Sequence, residues 1–228
     1  MRSGSETGRS IVIPLLAAIA SYALWNSVLL FPLKIFVVFL HEASHGLAAV
    51  LTGGSIERIE LSMNEGGVCY TRGGSRFLTT SAGYLGSLGF GALFLVLGAR
   101  SRWDRAIVAL LGMATLLVTL GYVRSGFGVA YGLAAGAVLV AVAWTLPASV
   151  SDALLRIVGS VSALYAIWDI ASDVLIRDIP GSDANTLGAI TGIPGVVWGV
   201  VWIAVSLIVL ALAFRASLPE SSGLRQHV

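Results

Sequence analysis

Long apolar runs alternate with short polar breaks along most of this chain. A helix that crosses a bilayer needs roughly 20 mostly apolar residues, and breaks such as Ala99-Arg100-Ser101-Arg102 are typical of short membrane loops. The pattern predicts an all-α polytopic membrane protein with about six to seven transmembrane helices. The apolar runs are Ile11–Phe31, Leu33–Leu51, Leu78–Leu97, Ala106–Val123, Val129–Leu146, Leu154–Ile176 and Pro194–Phe214.

The polar segment between the second and third runs has a different pattern. Apolar and polar residues alternate from Ser55 to Leu61 and again around Val68-Cys69-Tyr70, with Asn64-Glu65-Gly66-Gly67 between them. Such alternation predicts two strands joined by a turn. We therefore expect a small interfacial β-hairpin, with a plain interfacial loop as the alternative. An exposed edge strand in a hairpin can pair with an extended peptide backbone.

The composition leaves no room for a separate soluble domain. Hydrophobic residues make up 57% of the chain and charged residues 11%, whereas about 25% of residues are charged in a typical soluble domain. We expect one membrane-embedded domain over residues 1–228. It divides into a first uncleaved span at 10–31, a second span at 33–52, the hairpin loop at 53–77, the remaining spans within 78–215 and a polar tail at 216–228.

Charge and cysteine content narrow the possible partners and sites. The formal net charge is +2 with no run of like charge, so we expect a lipid bilayer and no nucleic acid as partner. Cys69 is the only cysteine, which excludes an internal disulfide and a metal site built from several cysteines.

The second apolar run contains the motif His41-Glu42-Ala43-Ser44-His45. Histidines four residues apart lie on one face of a helix and can bind one metal ion, beside which Glu42 would lie. Zinc suits two imidazoles and a carboxylate, and a neighbouring glutamate can take the proton of a zinc-bound water. Ionisable groups inside an apolar helix are costly and mark functional sites. The alternative is a set of polar residues that hydrogen bond between helices without metal.

A hydrolytic zinc site needs a third protein ligand. Asp169 and Asp173 are four residues apart and would share a helix face, whereas Asp183 follows the break at Pro180-Gly181-Ser182 and would open a new helix, where it could also be an ordinary N-cap. Residue chemistry leaves these three open. His227 lies in the polar tail, and the complete set of distal carboxylates is Asp152, Asp169, Asp173, Asp178 and Asp183.

Several segments together resemble the M50 family of membrane metallopeptidases, the site-2 protease group, and most closely its small bacterial M50B-like branch. The resemblance implies a zinc-dependent intramembrane endopeptidase of a bacterial cell membrane, with Zn2+ bound by His41, His45 and Asp183 and with Glu42 as general base. The larger family's distal Asn-Pro segment with Leu-Asp-Gly does not occur here. The matching segments are Leu40–Gly46, Leu51–Gly54, Ala82–Ser87, Ser182–Ala184, Thr191–Pro194 and Trp198.

The expected substrate of such an enzyme is a membrane-embedded or membrane-adjacent protein. The loops are too short for an inserted regulatory domain, so a regulator would be a separate protein. Two alternatives differ in metal dependence. A catalytically silent relative that binds membrane proteins could lose Glu42 without effect, and a small transporter would need Asp169 and Asp173 rather than the histidines.

Two groups of glycines predict structural features, namely a helix end and close helix packing. Gly53-Gly54 should end the helix of the metal motif, because glycine commonly follows a helix C-terminus. The series Gly83, Gly86, Gly89 and Gly91 should allow close helix packing.

Overall fold

The computed structural model describes Leu16, residues 27–176, Ile179 and residues 181–218. Most of the predicted first span lies outside these residues, as do Asp178, His227 and the end of the polar tail. Within the described part, six helices are long and apolar enough to cross a membrane. The protein is a multi-pass membrane protein, and the predicted all-α class with a small hairpin after the motif helix is confirmed.

Seven α-helices and two strands make up the described chain. The fifth helix continues into a π-helical segment at Ala171–Ile176, and the sixth is too short to span a membrane. The helices are α1 (Phe31–Leu51), α2 (Arg76–Arg100), α3 (Asp104–Tyr122), α4 (Gly126–Thr145), α5 (Ala148–Ile170), α6 (Asp183–Thr191) and α7 (Gly195–Ser217), and the strands are β1 (Ser55–Leu61) and β2 (Gly67–Arg72).

Helices α1 to α5 begin before the apolar runs that predict them. Helix α2 begins two residues before its run, at Arg76, because the Ser75 hydroxyl accepts a hydrogen bond from the Leu78 backbone amide and caps the helix. Helix α1 ends at Leu51, as predicted, since Gly53 follows with a φ of 87° in the left-handed region.

The hairpin is confirmed, with β1 antiparallel to β2 and a bulge between Ile56 and Arg58. It runs back along α1 from the C-terminal end toward the first turn. Gly46 of α1 packs against Ile56, and Lys34 near the helix start forms an ion pair of 2.5 Å with Glu65 at the hairpin turn. The hairpin therefore lies beside α1 over most of the helix length.

The outer edge of β1 is covered by the connection between α3 and α4. The Arg124 amide donates to the Ile59 carbonyl at 3.0 Å, and the Leu61 amide donates to the Ser125 hydroxyl at 2.9 Å. The other edge of the hairpin belongs to β2, which lines a cavity. Within the described residues, β1 is thus covered on both sides, and no further strand pairs with β2.

Helix α2 is the centre of the bundle and packs against α1, α5, α6 and α7. Its closest approach to α5 joins two glycines. A Cβ on Gly91 would lie 2.6 Å from the Ala163 amide nitrogen, and a Cβ on Gly159 would lie 2.5 Å from the Leu95 amide nitrogen. The packing role predicted for Gly91 is confirmed, and it brings the two backbones close together.

The chain turns back into the bundle after the π-helical segment. The Ser182 hydroxyl accepts a hydrogen bond from the Asn185 amide at 3.3 Å and caps α6, so Asp183 is the first residue of that helix rather than its cap. Helix α6 ends at Gly192, whose φ is 75°, and its Leu187 side chain is fully buried. The short helix is thereby fixed against α2 and α7.

We predict that Gly91→Ala lowers the thermal unfolding midpoint, because its methyl group would force α2 and α5 apart at a cost of about 1–3 kcal/mol. Gly89→Ala, on the same helix with nothing within 4 Å of the added Cβ, is the control and should change the midpoint little. Equal midpoints for the two variants in the same detergent would contradict the packing.

Candidate metal centre

His41 and His45 lie on one face in the middle of α1. Their ring centroids are 4.9 Å apart. Nδ1 of His45 is 2.7 Å from the backbone carbonyl of Thr79 in α2. Because a carbonyl oxygen only accepts hydrogen bonds, Nδ1 must carry the proton, and the lone pair of a neutral His45 is therefore on Nε2.

Asp183 faces both imidazoles from the first turn of α6. Its Oδ2 is 3.2 Å from Nε2 of His41, and its Oδ1 is 3.3 Å from Nε2 of His45. All three ligand atoms lie within 4.8 Å of one another. Ligand atoms about 2.0–2.1 Å from a tetrahedral zinc ion are about 3.3 Å apart, so these separations suit zinc.

A buried carboxylate that faces the lone pair of a neutral imidazole, as Asp183 faces Nε2 of His45, is repelled by it unless a proton or a metal ion lies between them. Oδ2 of Asp183 is buried and has no hydrogen-bond donor, which is costly without a compensating positive charge. The donor set of two imidazoles and a carboxylate is the set that zinc takes in hydrolytic sites. The residues present therefore fit a zinc ion.

Gly83 of α2 forms the opposite wall of this centre. A Cβ built on Gly83 would overlap Oδ2 of Asp183 and Nε2 of His41, and it would lie 2.5 Å from Nε2 of His45. Glycine leaves open the space at which the three ligand atoms point. The packing prediction for the glycine series thus misses the role of Gly83, which faces the ligands.

Glu42 is buried beside the histidines, at the wall formed by the hairpin. Its carboxylate accepts a hydrogen bond from the Cys69 backbone amide, and its side chain contacts Gly67. A cavity of about 530 Å³ opens here and is lined by the ligands, Glu42, part of β2 and the start of α6. A carboxylate, a candidate metal centre and room for a peptide segment thus meet in one cavity.

The other candidate ligands have different surroundings. Asp173 accepts a hydrogen bond of 3.0 Å from the Tyr84 hydroxyl, and Asp169 lines the same cavity near His41. Asp152 forms a salt bridge of 2.6 Å with Arg156. None of these three joins the ligand cluster found among the described residues.

Cys69 also lines the cavity without joining the cluster. Its thiol packs against Gly46 of α1, and burial raises the pKa of that thiol to about 12. The thiol is therefore neutral at physiological pH, and the Cys69 backbone amide makes the contact with Glu42.

Three further residues support the centre, and although Gly83 and Tyr84 lie in the segment Ala82–Ser87 that resembles the M50 family, the sequence does not indicate what they contact. Thr79 orients His45 through its carbonyl, which any residue could supply. The Tyr84 ring meets the His41 ring edge-on at 5.1 Å, and Gly83 stands in a glycine series that looks like ordinary helix packing. Only the three-dimensional path of α2 past α1 identifies them.

Comparison with known proteins identifies one family. The family model described as Peptidase M50B-like matches residues 14–213. No curated protein and no solved structure matches the chain.

We predict that Asp183→Asn protein no longer purifies with stoichiometric zinc, because the neutral amide lacks the negative charge that completes the ligand set. Asp173→Asn is the matched control in the same cavity and should keep zinc, as should Asp169→Asn. Metal analysis of the three variants checks this. Full zinc in Asp183→Asn with loss in either control would assign the ligand to α5 or its π-helical extension.

We predict that Gly83→Ala also lowers zinc content, since its methyl group would fill the space at which the ligands point. The apo forms of Gly83→Ala and the control Gly89→Ala should unfold at similar temperatures in the presence of a chelator. A zinc content in Gly83→Ala equal to that of the wild type would show that the metal does not lie in front of Gly83.

Proposed function

The chain belongs to the M50B-like peptidase family, and from this premise we propose that it is a zinc-dependent endopeptidase that cleaves membrane-embedded or membrane-adjacent proteins. The observation that supports this most directly is the convergence of His41, His45 and Asp183 beside Glu42. Oδ2 of Asp183 is buried and makes no hydrogen bond within the described residues, and a metal ion among the three groups would compensate for this.

His41 and His45 would hold the ion through Nε2, and Asp183 would hold it through its carboxylate. Bound zinc lowers the pKa of a coordinated water toward about 7 and polarises a peptide carbonyl. Glu42 accepts the proton of the attacking water on a carboxylate oxygen and passes it to the nitrogen of the departing amine. The buried position of Glu42 shields this proton from bulk solvent.

Strand β2, at the edge of the two-stranded sheet, supports a protein substrate over a small molecule. It lines the cavity next to Glu42, and a peptide in extended conformation can add to such an edge through main-chain hydrogen bonds. A substrate bound in this way would bring one of its peptide bonds close to the candidate metal centre. Any regulator would then act as a separate protein.

The two alternative functions make different demands on the same cavity. A silent binding protein would contain the site but cleave nothing, and it would tolerate the loss of Glu42. A transporter would depend on Asp169 and Asp173. Asp173 is engaged by Tyr84 and lines the same cavity as the histidines, which favours a supporting role in that site.

We predict that Glu42→Gln keeps zinc but lowers kcat by about 10²–10⁴-fold, since the amide preserves shape and cannot accept a proton. The measurement is cleavage of a model membrane protein by purified enzyme in liposomes, with metal content determined in parallel. Glu60→Gln makes the same chemical change on the half-exposed side of β1 and should retain full activity. Undiminished cleavage by Glu42→Gln would remove Glu42 from the mechanism, and a wild-type protein that binds zinc but cleaves nothing would favour the silent relative.

A further inference from the structure

Strand β2 encloses the Glu42 carboxylate at the point where the strand begins. A Cβ built on Gly67 would lie 2.6 Å from Cγ and 2.7 Å from Oε1 of Glu42. Real Cβ atoms essentially never make contacts this short, so any larger residue at position 67 would displace the Glu42 side chain.

The backbone conformation does not explain the glycine at this position. The glycines with φ in the left-handed region, within the described chain, are Gly53, Gly73, Gly74 and Gly192. Gly67 is absent from that set and lies in a regular strand paired with Leu61. The reason for glycine at position 67 is therefore space for Glu42.

A second interaction from the same strand acts on the Glu42 carboxylate. The Cys69 backbone amide, two residues further along β2, donates a hydrogen bond to Glu42. The strand cannot easily shift, because Gly46 packs against the Cys69 side of the hairpin and Lys34 binds Glu65 at its turn. The hairpin thus offers Glu42 both a space of defined size and a fixed donor.

We infer that Gly67 and the Cys69 amide position Glu42 for proton transfer, so that the hairpin acts as part of the catalytic apparatus in addition to lining the cavity. The inference rests on the proposed peptidase function. A general base must come within about 2.6–3.2 Å of the proton that it takes, and misplacement by about 1 Å can cost about a hundredfold in rate. Both are positioning residues, since neither touches the metal ligands.

The first test compares two alanine substitutions at neighbouring hairpin glycines. Gly67→Ala should retain one zinc ion and an unchanged KM while kcat falls by about tenfold to a hundredfold. In Gly66→Ala the added Cβ faces its own turn, 3.3 Å from the Ser62 hydroxyl, so activity should stay within about twofold of wild type. A kcat for Gly67→Ala equal to that of Gly66→Ala, or loss of zinc in Gly67→Ala, would overturn the inference.

Combining Gly67→Ala with Glu42→Asp tests whether the two side chains share the same space. Aspartate keeps Cγ, the atom closest to the new methyl group, but withdraws the carboxylate oxygens by one bond, so the two substitutions alter the same set of contacts. Glu42→Asp should therefore change kcat by a different factor in the Gly67→Ala background than in the wild-type background. Strict additivity of the two effects would mean that Gly67 acts independently of Glu42 and would refute the inference.

Amide exchange tests the Cys69 contact without enzymatic activity and without any change in the hairpin. Hydrogen exchange in peptides that cover β2 should be faster in zinc-free Glu42→Ala than in zinc-free wild type, while peptides from β1 remain unchanged. Equal exchange at β2 would contradict the positioning contact. If Glu42→Gln were inactive but these hairpin tests failed, the peptidase proposal would survive and only the positioning role would fall.

Discussion

The structure depends on one electrostatic constraint, which is that a buried carboxylate faces two imidazole nitrogens. His45 donates its Nδ1 proton to the Thr79 carbonyl, so in the neutral ring its Nε2 offers a lone pair to Asp183. Lone pairs and a negative charge repel each other in a medium of low dielectric constant. A metal ion or a proton among the three ligand atoms would remove this repulsion, and the proposed zinc ion would do so for both histidines at once.

The unusual parts of the fold bring these three groups together. Glycines let α2 approach both α1 and α5, so that Gly83 faces the ligands while Gly91 packs against α5. After the π-helical segment the chain turns back into the bundle, and α6 begins there with Asp183. The hairpin runs back along α1 until its second strand meets Glu42. Each departure from a simple bundle of spans contributes to one wall of the same cavity.

Local pattern was sufficient to predict the six described spans, the hairpin, the end of α1 and the histidine pair, because each depends on neighbours in sequence. The distal carboxylate was harder, since Asp169, Asp173 and Asp183 all turn out to line the cavity and only the orientation of α6 separates Asp183 from the others. Gly83 and Gly67 could not be distinguished from packing or turn glycines. Their importance comes from atoms on another element, and sequence spacing does not encode which elements meet.

X-ray absorption at the zinc edge tests the central claim most directly. Full-length protein purified with one zinc ion should give a first shell of nitrogen and oxygen at about 2.0–2.1 Å, with imidazole scattering from two histidines and no sulfur. Asp183→Ala protein reconstituted with excess zinc should lose an oxygen ligand from that shell. A shell that contains sulfur at about 2.3 Å, fewer than two imidazoles, or a spectrum unchanged in Asp183→Ala would contradict the assignment of His41, His45 and Asp183 as the zinc ligands.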